Sequence, residues 1–212
     1  MRFPERYVIE GGRPLSGRVR VSGSKNGADY AMAVALLTGD DVVIENVPDI
    51  ADIRLMERVL ERLGATVERM SPSTMRINAA NITTTEAPPE LVVQLRASFL
   101  VMGALLGRFR RAASCAPGGD VIGIRPLDVH FAGFRALGAA VERRGDLFYA
   151  EAPGLRGTKV VLDYPSVMGT LNVLLAASLA EGTTTIVNAA AEPEVAAVGE
   201  LLNAMGGCVR GA

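Results

Sequence analysis

Leu137-Gly138-Ala139-Ala140-Val141 is one of three related pentapeptides in this chain, the others being Leu63-Gly64-Ala65-Thr66-Val67 and Met205-Gly206-Gly207-Cys208-Val209. Each closes an apolar helical pattern with a glycine where a helix ends in left-handed backbone, then turns to strand-like alternation. The glycines stand 74 and 68 residues apart, so the pentapeptides mark a repeat. The first and third units also match further back. Gly39 leads through a strand pattern to Asn46 and Gly182 through another to Asn188, with 18 residues from each asparagine to its tag glycine. These asparagines are expected at helix starts, as N-caps.

Working outward from the tags, periodicity predicts a strand at 18–21, a helix at 25–37, a strand at 42–45, a helix at 50–63 and a hairpin of 66–69 with 75–78. A second unit follows, with a helix at 91–107, a strand at 111–115, a helix at 127–137 and a hairpin of 140–143 with 147–150. The third has a strand at 159–162, a helix at 167–180, a strand at 184–187 and a helix at 193–205. Three βαβαββ-type repeats of this kind predict an α/β fold with helices buried among small sheets. The third unit ends at 209–212 in the first strand of its hairpin without a return strand, and the expectation is the front part of a longer protein.

Composition narrows the function. Of 212 residues 49% are hydrophobic, and 22 basic against 23 acidic side chains leave a net charge of −1. With no block of like charge, a nucleic-acid surface and a polybasic membrane anchor are excluded, while small anionic ligands need only local positive charge. Cys115 and Cys208 lie far apart with no CxxC or Cys/His spacing, so neither a zinc site nor a disulfide framework is indicated. No apolar signal core follows the N-terminus and no apolar run has the length of a membrane span. A reduced, cytoplasmic setting is expected.

Chemistry concentrates in Pro117-Gly118-Gly119-Asp120-Val121-Ile122-Gly123-Ile124-Arg125-Pro126-Leu127-Asp128-Val129-His130, which holds the only histidine. By itself the stretch permits two readings: a tight turn with a solvated Arg125 and a helix-opening Pro126, or a glycine hinge carrying Asp120 over a pocket floored by Arg125. Ser22-Gly23-Ser24-Lys25-Asn26-Gly27 sits between a strand and a helix, where backbone N–H groups bind anions. Lys25 has the wrong charge for the first turn of a helix; it faces either an anion or solvent. It is one of only two lysines, with Lys159. Arg96 lies in an apolar helical pattern and needs a carboxylate, a phosphate or solvent. Ser166 reads as an N-cap.

Ser-Gly-Ser-Lys-Asn at 22–26, Leu-Arg-Ala-Ser at 95–98, the stretch 117–130 and Leu-Ala-Glu-Gly-Thr-Thr at 179–184 together resemble UDP-N-acetylglucosamine 1-carboxyvinyltransferase, an enolpyruvyl transferase family. The resemblance runs along essentially the whole chain. It implies an inverse α/β barrel-like fold of two domains with three repeats each, the first at 22–212 here, with 1–21 as strands packing against the second. It further implies transfer of enolpyruvate from phosphoenolpyruvate to UDP-N-acetylglucosamine, without metal or redox cofactor. Lys25 and Arg125 match positions that grip the phosphoenolpyruvate phosphate, and Asn26 one beside the substrates. Arg96, Arg125, Pro126, Leu127, Asp128 and Val129, with Ser166 and Val167, match the nucleotide-sugar site. Asp120 matches the loop acid, and Gly118 and Gly119 its hinge. The general base and further arginines are implied beyond residue 212. Within enzymes the alternative is the related transferase acting on shikimate 3-phosphate; outside them it is a non-catalytic nucleotide-sugar-binding or interaction domain.

Three positions depart from the family pattern. Most members carry cysteine where this chain has Asp120. An aspartic acid is the stronger acid by several units, so as a proton donor it needs the anionic groups of bound substrate beside it. It also lacks the thiol that the epoxide fosfomycin alkylates. Tyr164 stands where many members have lysine, and Leu171 lies in an atypical Met-Gly-Thr-Leu-Asn run at 168–172. Cys115 is expected as a small core residue.

Overall fold

The computed structural model describes residues 6, 8–120, 122–123 and 125–212. The first unit runs α1 (Lys25–Val34), β1 (Asp41–Ile44), α2 (Ala51–Leu63), β2 (Thr66–Ser71) and β3 (Thr74–Asn78). The second runs α3 (Pro89–Val92), α4 (Val101–Phe109), β4 (Arg111–Cys115), α5 (Asp128–Ala136), β5 (Ala140–Arg144) and β6 (Leu147–Glu151). The third has β7 (Lys159–Val161), α6 (Val167–Ala177), β8 (Thr185–Val187) and α7 (Pro193–Ala204).

The three tags end their helices by one geometry. Gly64, Gly138 and Gly206 have φ of 107°, 101° and 96°. In each case the glycine N–H reaches the carbonyl three residues back, and the next N–H reaches the one five residues back, at 2.8–3.1 Å. This is the Schellman closure, which needs left-handed backbone that glycine adopts without a Cβ penalty.

Each of the first two units closes its own antiparallel sheet, ordered β1-β3-β2 and β4-β6-β5, and β7 pairs with β8 in parallel. The sheets lie outside and the helices inside. All of residues 101–107 in α4 are buried, and α6 buries Gly169 to Val173 with Leu175 and Ala176. The two helices touch backbone to backbone: a Cβ on Gly103 or Gly107 would lie 2.4 Å from the Asn172 carbonyl oxygen or 2.8 Å from that of Leu175. This inversion explains why α4 and α6 are apolar on nearly every side, while β2 and β5 are mostly exposed.

Five local expectations are corrected. Residues 18–21 form no strand; Val19 and Val21 stand 90% and 85% exposed, because no strand among the described residues lies alongside to take their hydrogen bonds. Asn46 and Asn188 are not N-caps. Both sit in left-handed turns after β1 and β8, at φ 56° and 59°, and α2 and α7 begin at Ala51 and Pro193. Asparagine tolerates this backbone almost as glycine does. The helix expected at 91–107 is broken into α3, a 3₁₀ turn at Arg96–Leu100, and α4. Pro126 does not open α5, which starts two residues later behind Leu127. Residues 209–212 form no strand: the Asn203 side chain accepts from the Val209 N–H at 2.6 Å and donates to its carbonyl at 2.9 Å, tying the segment to α7.

Candidate active site

Ser24 caps α1 by accepting from the Gly27 N–H at 3.1 Å. That places Lys25 and Asn26 in the first turn. The Lys25 ammonium meets Asp52, in the first turn of α2, at 2.9 Å, and this hydrogen bond holds Lys25 above its ordinary pKa. The unfavourable place of Lys25 in its own helix is thereby offset by an acid that already complements the positive end of α2. Asn26 donates to Glu194 of α7 at 3.1 Å. A cleft of about 270 Å³ opens beside this helix start, lined by Ser24, Gly27, Ala28, Ile44, Asn46 and Leu201 among others, and none of the arginines reaches it.

The loop after β4 is built on the break between α3 and the 3₁₀ turn. The Val92 carbonyl accepts from the Gly118 N–H at 3.1 Å, and Gly118 lies so close to the next peptide that a Cβ would sit 1.6 Å from the Val93 oxygen. The helix therefore gives up its continuity to receive the loop, and Leu95 turns extended. Gly119, at φ 95°, then passes over the backbone of Arg96. Beyond it the Arg125 guanidinium donates to the Asp120 carbonyl at 2.8 Å, and the Arg96 guanidinium to the Arg125 carbonyl at 3.0 Å. Gly118, expected with Gly119 as a hinge, packs closely on Val93 in this conformation.

Both guanidiniums are half-buried, and neither has a carboxylate within ion-pair distance among the described residues. Burial lowers the Arg96 pKa, and the neighbouring charge of Arg125 lowers it further. Arginine keeps its proton regardless. Two neighbouring cations that donate only to carbonyls keep their charge for a counter-ion.

The start of α5 meets the start of α6. Ser166 caps α6, accepting from the Gly169 N–H at 3.1 Å, with Val167 as the first helical residue. Val129 packs on Gly169. The Tyr164 hydroxyl donates to the Asp128 carboxylate at 2.7 Å. That bond holds Asp128 below the usual carboxylate range. Burial, followed by the same bond, pushes Tyr164 up to about 12. Arg96 acts on Tyr164 electrostatically, so this corner adjoins the loop corner. Pro126 is exposed and Leu127 half-buried between the two.

The expected residues thus form two groups. In the first, hydrogen bonds join Arg96, Arg125 and Asp120 and another joins Tyr164 to Asp128; the charge of Arg96 reaches Tyr164, and Ser166 caps the helix against which Val129 packs. Lys25 and Asn26 stand at α1, tied to other partners, although the charge of Asp120 reaches Lys25. Val121 and Ile124, within the loop, lie outside the described residues. Cys115 is buried, as its place in β4 predicts, and Leu171 is a fully buried core residue.

Sequence reasoning missed two buried polar groups. His130 is 1% exposed; its Nδ1 accepts from Asn172 Nδ2 at 2.9 Å, and Asn172 also bridges the Phe99 carbonyl and the Gly103 N–H. Burial pushes His130 down to about 3, so the ring is a neutral core element lying edge-on to Phe99. Asp29, in α1, is wholly buried and neither oxygen has a hydrogen-bond partner among the described residues. An acid inside the apolar run Ala-Asp-Tyr-Ala-Met was the available signal.

Among the described residues no cluster of His, Cys, Asp and Glu is arranged to hold a metal ion, and no helix is long and apolar enough to cross a membrane. Among curated relatives, the chain is 50% identical over 208 residues to UDP-N-acetylglucosamine 1-carboxyvinyltransferase 2 of Carboxydothermus hydrogenoformans, covering 98% of this chain and 49% of that protein. It is 46% identical over 204 residues to UDP-N-acetylglucosamine 1-carboxyvinyltransferase of Sorangium cellulosum, covering 96% and 48%. The chain therefore spans about half the length of the curated relatives it matches. In fold it is similar to the enolpyruvyl transferase NikO from Streptomyces tendae, with a TM-score of 0.78 at 24% identity over 91% of this chain and 45% of that one. An EPSP synthase from Acinetobacter baumannii gives 0.65 at 16% identity, over 85% and 42%. The family model for EPSP synthase (3-phosphoshikimate 1-carboxyvinyltransferase) matches residues 9–212, and the chain belongs to that family of enolpyruvyl transferases.

Proposed function

We propose that this chain supplies the cationic half of a site for phosphoenolpyruvate and UDP-N-acetylglucosamine. The whole protein then transfers enolpyruvate to the 3′-hydroxyl of the sugar and releases phosphate, the first committed step of peptidoglycan synthesis. The observation that carries this reading is the pair Arg96 and Arg125, half-buried and joined through a backbone carbonyl, with no carboxylate within ion-pair distance of either among the described residues. The names of the relatives supply the nucleotide sugar and the carboxyvinyl group transferred to it, and the family resemblance supplies phosphoenolpyruvate as its donor.

In this reading Asp120 protonates the methylene carbon of phosphoenolpyruvate, the sugar oxygen bonds to the adjacent carbon, and a base takes the hydroxyl proton. The tetrahedral adduct then loses a proton from its methyl group as the carbon–oxygen bond to phosphate breaks. Lys25 and Arg125 hold the phosphate, where negative charge accumulates as it leaves, with Asn26 beside it. Arg96, Pro126, Leu127, Asp128 and Val129 line the nucleotide-sugar side, and the start of α6 at Ser166 and Val167 presents N–H groups to its diphosphate. The base belongs to the half of the protein that this chain does not span. Leu15, Val19 and Val21, 97%, 90% and 85% exposed, are the surface offered to that half. The reaction is assigned to the cytoplasm, a reducing setting that the free Cys115 and Cys208 fit.

The test is phosphate release from phosphoenolpyruvate that depends on UDP-N-acetylglucosamine. A full-length protein containing this segment should show it and lose it on Arg125→Ala, while residues 1–212 alone should show none. Turnover with shikimate 3-phosphate in place of the nucleotide sugar would refute the assignment.

A further inference from the structure

Asp29 is not used by this mechanism, yet it stands at the site. It is 0% exposed with both carboxylate oxygens unpartnered among the described residues. It follows Lys25 by four residues in α1, so the two lie on one helix face, and side chains on a helix lean back toward its N-terminus. Lys25 in turn holds Asp52 at 2.9 Å. The charges of Asp52 and Lys25 act on Asp29 in opposite senses, making the three groups one electrostatic unit.

We propose that Asp29 is a positioning residue for Lys25: with its proton it leaves the ammonium to Asp52 and to an anionic ligand at the start of α1, and without it the carboxylate competes for that ammonium and weakens anion binding. This rests on the reading of Lys25 as a phosphate ligand. The unit of one ammonium and two carboxyls is neutral when Asp29 is protonated and carries one negative charge when it is not. An incoming anion meets that added charge at short range in a partly dry setting. Burial, with a smaller contribution from Asp52, pushes Asp29 up to about 7, so both states are populated near neutrality.

The surrounding charges leave this control to the trio. Of the groups on α2, Asp52 acts on Asp29. From α7, Glu194 is bonded to Asn26 and acts on Tyr30. From the 3₁₀ turn, Arg96 is bonded to the Arg125 carbonyl. From α4, Arg108 is fastened to the carbonyls of Leu36, Thr38 and Ala79, and from β1, Asp41 is engaged by Asn78 and Arg76. Asp120 acts on Lys25 from the loop.

The chain has only two lysines, so lysine-labelled NMR gives one reporter, Lys25, and one internal control, Lys159. The Lys25 side-chain signal should show a step near pH 7 that Lys159 lacks and that Asp29→Asn removes. Sulfate, whose charge is constant between about pH 5.5 and about pH 8.5, should bind at the Lys25 signal roughly tenfold more weakly at the upper end, with little change in the variant. Absence of the step in the unaltered chain, or its persistence in Asp29→Asn, overturns the proposal; if Asp29→Asn fails to fold, Asp29→Leu gives the same reading. A step at Lys25 whose signal ignores phosphoenolpyruvate would sustain the coupling while removing the phosphate reading.

Discussion

The Arg125 guanidinium donates to the backbone carbonyl of Asp120 at 2.8 Å. The arginine that follows the loop thus fixes the loop acid through its main chain. With Arg96 bonded to the Arg125 carbonyl, the acid, the loop cation and the 3₁₀ turn form one continuous chain of contacts. Replacing Arg125 by alanine should release that chain as well as remove a charge. In a full-length family protein containing this segment the expected loss is about 3 kcal/mol of transition-state stabilisation, seen as a fall in kcat of two orders of magnitude or more.

Gly118→Ala tests the anchor of the loop. Its Cβ would sit 1.6 Å from the Val93 oxygen, so the loop must lift from α3 or the helix must shift. Destabilisation of about 2 kcal/mol is expected, with earlier proteolytic cutting between 117 and 125. Gly123→Ala, with no atom of the described residues within 4 Å of the added carbon, is the comparison, although its φ of 127° carries a local cost of its own.

Tyr164→Phe deletes the hydroxyl that holds Asp128 below its ordinary range. The Asp128 carboxyl should titrate higher in the variant, as followed by carbon NMR. Tyr164→Lys adds a cation beside the residues proposed to line the nucleotide-sugar side. UDP-N-acetylglucosamine should then bind several-fold tighter and with a steeper salt dependence. Unchanged affinity would remove Tyr164 from that site.

Asp29 and His130 impose opposite pH dependences on stability. Asp29 is raised in the fold to about 7 from an unfolded value near 4, so the folded state binds more protons and stability falls as pH rises through that window. His130 is lowered to about 3 from about 6.5; here the unfolded state binds more protons, and stability falls as pH drops from 6.5 toward 3. Each slope reaches at most about 1.4 kcal/mol per pH unit, and between pH 4 and 6.5 they largely cancel. Urea denaturation should therefore be nearly flat there for the unaltered chain. Asp29→Leu should make stability rise with pH, and His130→Leu should make it fall.

Fosfomycin alkylates a thiol that this chain lacks at Asp120. A full-length family protein containing this segment should resist time-dependent inactivation, and Asp120→Cys should acquire it. Inactivation of the unaltered protein at ordinary concentrations would show that some other group is attacked.

Local chemistry in the chain was sufficient for the repeat, the helix ends and most of the elements. A Schellman closure is written in a few consecutive residues, and glycine is the residue its backbone demands. Motif order likewise pointed to the family, and the role of Ser166 as a cap was legible for the same local reason. What depended on residues distant in sequence was not legible. The break at 93–95 exists because Gly118 takes the Val92 carbonyl, and Asn46 and Asn188 turn left-handed where a cap was expected. The ionisation of Asp29 and His130 follows from burial between helices, and Lys25 meets Asp52 from another helix. Periodicity reports which face of an element is apolar. Only packing decides which carbonyl is taken, which charge stays dry and which cation is left for a ligand, because desolvation and hydrogen-bond partners come from every element that closes around a residue.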